Sequence, residues 1–425
     1  LKKLKNIFCD FKNKYYKNRM RTISIKSALI SIIVFTMIGC VTQNDEKLIA
    51  ENIDFAVEQV GHQVELIEKK ELFCNARSVN VDGSIVYVEH TDWTSGFFPG
   101  TIWHLYALTG DKKWEELAKK YTETLDSIQY FSDNHDTGFM IGCSYGIGYR
   151  LTKQKSYEKV IVQAANSLIT RYRPQAHVLQ SWNADEKWII PKGWACPVII
   201  DNMMNLELLF DATRLSGDST YYNIAVSHAN TTLKNHFREN GSCYHVIDYN
   251  PFNGEVLAKH TAQGYSHEST WSRGQAWGIY GFTLMYRETK DKKYLNQAVK
   301  TLNFMLNHPK LEKDMIPYWD MEAPCIPNEP RDASSAAIMA SAMYEMSTYL
   351  DGDYKEKADK IMCSLSSPAY RAILGTNGNF ILMHNVGSIP HGTEVDVPIN
   401  YSDYYFLEAL WRKKNLEMNE QIVIN

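Results

Sequence analysis

LTGDKKWEELAKKY, residues 108–121, ends one helix and starts another. An apolar-periodic helix stops at a polar turn, here Gly110-Asp111, and an aromatic residue, here Trp114, opens a second helix with leucine and alanine at helical spacing. The plan returns in LTKQKSYEKVIVQAA from Leu151, LSGDSTYYNIAVSHA from Leu215, ETKDKKYLNQAVKTL from Glu288 and YLDGDYKEKADKIM from Tyr349. Recurring turns of one kind mark helical hairpins.

Before each turn runs a helix rich in glycine or alanine: GTIWHLYAL, GCSYGIGYRL, NLELLFDATRL, GQAWGIYGFTLMY and SSAAIMASAMYEM. SDYYFLEALWR near the C-terminus is a sixth, and residues 47–70 supply an unpaired N-terminal helix to partner it. Small residues let six inner helices approach closely around an axis, with the second helix of each pair forming an outer ring. The expected fold is therefore all-α, an (α/α)6 barrel over residues 49–418, rather than an open solenoid with polar caps. SIVYVEH, GSCYHVIDY and GEVLAKHTAQG are short strand-like segments, expected as hairpins or loops at one end of the barrel.

The apolar run Ala28–Ile38 is too short to span a bilayer and follows a basic segment, the pattern of a signal peptide over residues 1–39. Gly39-Cys40 has the form of a lipobox, which makes Cys40 the expected lipid anchor, with residues 40–48 as a linker. The expected location is outside the cytoplasm of a bacterium, as a periplasmic or cell-surface lipoprotein. Without residues 1–39 the chain keeps 36 basic and 48 acidic residues, a net charge of −12, which argues against a nucleic-acid partner. Cysteines 74, 143, 196, 243, 325 and 363 show no CxxC and no zinc spacing, so buried free thiols, no structural metal and no cofactor are expected.

Each long loop between hairpins is rich in aromatic, His or Asp residues: HTDWTSGFFPG (90–100), SDNHDTGFM (132–140), LQSWN (179–183), CPVIIDNMMN (196–205), CYHVIDYNPFNGE (243–255) and TAQGYSHESTWSRGQAW (261–277). Loops at one end of a barrel converge on its axis, where a ligand site belongs. Asp201 stands at a helix start, either as a plain N-cap or as a carboxyl whose pKa is lifted by burial for proton donation. Asp136, in Asn134-His135-Asp136-Thr137-Gly138, reads either as turn chemistry or as a second carboxylate of a carbohydrate-cleaving pair. Trp93, Trp182, Trp271 and Trp277 lie at loop–helix junctions and suit the C–H face of a sugar. Arg273 and Trp277 share a helix face beside the Gly274, Gly278 and Gly281 stripe. A guanidinium there needs an anion, and a substrate carboxylate would supply one.

DWTSGFF, HDTGF, QSW, IIDNMMNL, YHV, STWSRGQAWGIYGF, RDASSAA and DYYFLEAL stand in an order that resembles the unsaturated glucuronyl hydrolase family of glycoside hydrolases, from about residue 50 to residue 412. That resemblance implies an (α/α)6 barrel. It also implies removal of 4,5-unsaturated uronic acid from the non-reducing end of oligosaccharides made by polysaccharide lyases, by hydration of the C4=C5 enol ether. By the same motifs Asp201 resembles the general acid and base, and Asp136 its partner. His135, His245 and Gln263 resemble sugar- or water-binding positions, Arg273 a binding arginine, and Trp93, Trp182, Trp271 and Trp277 stacking positions. Ala262 stands where some members have His or Arg, and HNVGSIPHGTEVD (384–396) departs from the sulfate-binding pattern of others. The alternatives are a non-catalytic lipoprotein that binds acidic sugars and a hydrolase of unsaturated rhamnogalacturonan fragments.

Overall fold

The structure, a computed structural model, describes residues 45–70 and 75–423. The expected signal peptide, Cys40 and Cys74 lie outside the described residues. The described residues begin with α1 (Asp45–Glu68), then form the hairpin α2 (Phe97–Thr109)–α3 (Lys112–Glu123). Next, α4 (Thr137–Ile141), a π-helical turn (Gly142–Gly146) and α5 (Ile147–Thr152) run end to end and fold back into α6 (Lys155–Ile169). The hairpins α7 (Asn202–Ser216)–α8 (Ser219–Asn235), α9 (Ser272–Thr289)–α10 (Lys292–Leu306) and α11 (Ala333–Met346)–α12 (Tyr354–Leu365) follow, and α13 (Asn400–Glu417) closes the ring against α2 and α11, with α1 outside it. The expected (α/α)6 barrel is what the chain forms. Of the expected 40–48 linker, Asp45–Leu48 belong to α1, and residues 40–44 lie outside the described residues.

Three of the hairpin turns share one chemistry. Gly110, Gly217 and Lys290 take left-handed φ values of 70°, 75° and 59° and end their helices. The next helix opens on Asp111, Asp218 or Asp291, whose carboxylate accepts from Lys113 N (2.9 Å), Thr220 N (2.8 Å) or Lys293 N (3.1 Å). Thr109, Ser216 and Thr289 hydroxyls accept from the N–H of those aspartates at 3.2, 3.1 and 3.2 Å. Beyond the turn the outer helix buries one face; Trp114, Ala118 and Tyr121 do so on α3, and each large side chain contributes roughly 2–3 kcal/mol.

Inner helices are buried all round, as helices at the centre of a large core must be. Every residue of α11 is buried, and on α9 every residue from Ser272 to Met285. Close approach requires glycine at Gly281, where a Cβ would meet Met203 Cβ of α7 at 2.5 Å. At the end away from the mouth, buried charges pair across helices: Arg150 with Glu207 (2.9 Å), and Arg287 and Arg412 with Glu345 (2.9 and 3.1 Å).

Short antiparallel sheets decorate the other end. They are β1 (Asn75–Val79) with β2 (Ile85–Val88), β3 (Tyr172–Arg173) with β4 (Val178–Leu179), β5 (Pro197–Ile199) with β6 (Val246–Tyr249) and β7 (Val256–His260), and β8 (Asn385–Ser388) with β9 (Thr393–Val397). The strand-like segments expected from sequence contain β2, β6 and β7. Cys143, Cys196 and Cys243 are buried free thiols, but Cys325 is disulfide-bonded, which corrects the expectation for that residue. Among the described residues no helix is long and apolar enough to cross a membrane.

Candidate active site

The N-terminal ends of the inner helices meet at the mouth. Asp136 precedes α4, Asp201 precedes α7, Trp271 precedes α9 and Asp332 precedes α11, while Trp93 stands just ahead of α2 and Tyr401 lies in the first turn of α13. Ring and ion contacts link them around the axis: Trp93 with Tyr401 (5.2 Å) and Phe139 (5.7 Å), Arg273 with Tyr401 (5.3 Å) and Asp332 (3.7 Å). Helix N-termini carry partial positive charge, so this mouth favours an anionic ligand.

Neither candidate aspartate acts as a cap. Asp201 and Asp136 occupy N-cap positions, yet no backbone N–H of the following helix bonds to either side chain. The turn at Asp136 is made by Asn134, whose side-chain oxygen accepts from Asp136 N at 2.8 Å. Both carboxyls are freed for the site. Burial pushes Asp201 up to about 7, against the pull of the Arg273 charge. Burial also raises Asp136 well above the usual carboxylate range, and the negative charge of Asp201 raises it further. Two such carboxyls retain a proton at neutral pH.

A histidine faces each aspartate. His135 Nδ1 accepts from Asn205 Nδ2 at 3.2 Å; the Asn205 amide is oriented by Phe139 N, which donates to its oxygen at 2.7 Å. The ring proton therefore sits on Nε2, 3.3 Å from Asp136 Oδ1. His245 Nδ1 accepts from Ala262 N (3.1 Å) and Gln263 N (3.3 Å), which places its proton on Nε2, 3.7 Å from Asp201 Oδ2. Burial keeps both rings neutral, His135 down at about 3 and His245 well below the usual histidine range.

Trp271 packs on His245 with ring centroids 4.3 Å apart and carries the Arg273 guanidinium over its face at 4.6 Å. Trp277 is fully buried between Phe139 and Tyr405 and floors the site beside Asp201. Trp93 and Trp182 are half-buried and form walls; Trp182 lies 6.2 Å from His245. All ten residues selected from sequence thus come together.

Arg273 requires a correction. Its fork does not wait for an external anion: Nη1 donates to Val386 O, Nη2 donates to Gly387 O (2.7 Å) and Gln263 Oε1 (2.7 Å), and Asp332 supplies the negative charge. These partners lie on β8, in the 261–270 loop and at the N-cap of α11, on different elements from Arg273. Arg273 ties the β8–β9 hairpin to the floor.

Sequence reasoning missed Asn205, Asp332 and Tyr401. Asn205 follows Asp201 by four residues on one helix face, a spacing that could have marked it. Trp188 and Trp194 were missed too; with Trp182 they form an aromatic cluster, at 4.7 and 6.3 Å. Six buried polar atoms around the mouth lack a protein partner: Asp201 Oδ2, His135 Nε2, His245 Nε2, Arg273 Nε, Trp277 Nε1 and Tyr401 Oη. A separate cleft of about 810 Å³ between the β1–β2 and β8–β9 hairpins contains none of the ten residues. Among the described residues no group of His, Cys, Asp or Glu is arranged to hold a metal ion.

The model of Glycosyl Hydrolase Family 88 matches residues 73–409. An unsaturated glucuronyl hydrolase of Formosa agariphila is 47% identical over 343 residues, covering 80% of this chain and 84% of its own. A crystal structure of an unsaturated glucuronyl hydrolase specific for heparin superposes with a TM-score of 0.84 at 42% identity, covering 88% of this chain and 98% of its own. A mutant of the Streptococcus agalactiae enzyme, complexed with dGlcA-GalNAc6S, superposes with a TM-score of 0.71 at 30% identity, covering 87% and 91%. With the barrel in agreement, this chain is a member of glycosyl hydrolase family 88, the glycoside hydrolases that include the unsaturated glucuronyl hydrolases.

Proposed function

We propose that the chain releases 4,5-unsaturated uronic acid from the non-reducing end of lyase-generated oligosaccharides by hydrating the C4=C5 bond. The observation that carries this reading is the set of six unpartnered buried polar atoms around a raised carboxyl. Buried polar groups are nearly always satisfied, and an acidic sugar offers the hydroxyls, ring oxygen and carboxylate to satisfy them.

Protonated Asp201 delivers its proton to C4, and positive character develops at C5, shared by the ring oxygen. The resulting Asp201 carboxylate accepts a proton from water as the water oxygen bonds to C5. The hemiketal opens with cleavage of the C5–O5 bond, and the hemiacetal left at C1 expels the aglycone. Asp136, still protonated while Asp201 cycles, orders ring hydroxyls and limits the charge in the site. His135 and His245 present Nε2–H donors to sugar or water, and Trp93 and Trp182 stack on apolar sugar faces. The uronate carboxylate meets the helix N-termini with Tyr401 Oη and Trp277 Nε1 as donors. Relatives named for chondroitin disaccharide and heparin make glycosaminoglycan lyase products the first class to try.

Export through the leader and anchoring by lipidated Cys40 complete the proposal. Cys40→Ser should move the protein from the membrane fraction to the soluble fraction. The enzymatic test is a panel of unsaturated glycosaminoglycan and ulvan-type disaccharides, followed by loss of the ultraviolet absorbance of the conjugated double bond. Persistence of that absorbance across the whole panel would overturn the assignment.

A further inference from the structure

Asp320 takes no part in the chemistry above, yet it is fully buried, and among the described residues no cation pairs with it. Its Oδ2 accepts from Tyr265 N (2.8 Å) and Ser269 Oγ (2.6 Å), and its Oδ1 from Glu322 N (3.0 Å). The strip it stands on runs antiparallel to the start of α9: Met321 N donates to Thr270 O (3.0 Å) and Ser272 N to Trp319 O (3.1 Å). Gly264 fits because it has no side chain; a Cβ would meet Thr261 Oγ1 at 2.7 Å and Asp320 Oδ2 at 3.1 Å. Asp320 is therefore the post around which the 261–270 loop is wound.

That loop aims three groups at one atom. Ala262 N, Gln263 N and Thr261 Oγ1 lie 3.1, 3.3 and 3.4 Å from His245 Nδ1. A ring nitrogen that accepts backbone N–H groups cannot also carry a proton, so the proton stays on Nε2, facing Asp201. Gln263, on the same loop, takes the Arg273 fork at 2.7 Å.

We infer that Asp320 is a positioning residue for the reaction: by holding the 261–270 loop it keeps His245 in the Nε2–H tautomer that faces Asp201. This rests on Asp201 as the acid. The charged and titratable groups that bear on His245 are Asp201, Arg273, His236, His391 and His135, and Glu322 bears on Asp320. An Nε2–H donor stabilises the Asp201 carboxylate. Losing it makes Asp201 hold its proton to higher pH.

The test uses Asp320→Asn in the full chain. Asp403→Asn is the matched control, a buried carboxyl that accepts Ile381 N (2.8 Å) and Leu382 N (2.9 Å) away from this loop. Nitrogen-15 spectra of the His245 ring, assigned with His245→Asn, report the tautomer, and the pH dependence of kcat/KM reports Asp201. Wild type and Asp403→Asn should show Nε2–H alone. Asp320→Asn should add an Nδ1–H population, lower kcat about tenfold and raise the alkaline limb by ~0.5 pH unit. An unchanged tautomer and an unmoved limb in Asp320→Asn would overturn the inference even if the variant were less stable. If Asp320→Asn does not fold, Ser269→Ala removes one of the same bonds and must shift both readouts in the same direction; unmoved readouts overturn the inference. Absence of turnover by wild type would count against the proposed reaction, while the tautomer would still decide the role of Asp320.

Discussion

His245 Nε2 lies 3.7 Å from Asp201 Oδ2, and each atom is buried with no hydrogen-bond partner in the protein. A second pair, His135 Nε2 and Asp136 Oδ1, stands at 3.3 Å. In both pairs the far ring nitrogen is held by donors that fix the tautomer, so two neutral imidazoles point N–H groups at two carboxyls that burial has pushed upward. The arrangement keeps a carboxylic acid protonated near neutral pH while surrounding it with donors for what it reacts with.

Asp201→Asn keeps the shape of the site and removes the transferable proton. Turnover of an unsaturated disaccharide should fall by about 10³-fold, while the dissociation constant measured by calorimetry changes little. An Asp201→Asn enzyme with near wild-type kcat would show that the proton comes from elsewhere.

Because Asp201 rises to about 7 and Asp136 rises as well, the active form is the protonated one and activity is lost as pH increases. The profile of kcat/KM should fall on the alkaline side in two steps, as the coupled carboxyls release their protons in turn. Both histidines stay neutral, His135 down at about 3, so they add no step between roughly pH 5 and 7. A single alkaline ionisation in wild type would contradict the coupling.

Asp136→Asn removes one partner of that pair. The alkaline fall should collapse to one ionisation centred near the Asp201 value of about 7, with kcat reduced by about 10²-fold. A two-step profile that survives the substitution would assign the second proton to another group.

The barrel is legible because three of its hairpin turns share one chemistry: a left-handed cap, an aspartate that caps the next helix and an apolar period on either side, all local in the chain. The hairpin β8–β9 was not, since Gly387, Pro390 and Gly392 break any strand pattern, and its role comes from contact with Arg273 more than a hundred residues away. The site was legible as a set of residues, but the direction of each side chain was not. Asp201 and Asp136 sit where caps sit and turn away from their helices, and no spacing rule distinguishes the two outcomes. Local sequence gives Arg273 a substrate anion because its protein anion, Asp332, opens a different inner helix.

Arg273→Lys tests the corrected role. A lysine is a point charge and cannot hold Gln263, Val386 O and Gly387 O at once, so the hairpin and the 261–270 loop should both loosen. Urea unfolding should show a loss on the order of 3 kcal/mol, with kcat/KM lowered at least tenfold. A raised KM with unchanged stability would restore Arg273 as a direct ligand of the substrate carboxylate.

The central claim is that proton delivery to C4 by Asp201, not displacement at the anomeric carbon, starts the reaction. The measurement that tests it most directly follows double-bond absorbance and release of the reducing-end sugar together in one stopped-time series, with wild type and Asp201→Asn side by side. The account predicts that wild type loses absorbance ahead of or in step with sugar release and that the variant shows neither. Sugar released by wild type while the absorbance persists would contradict it.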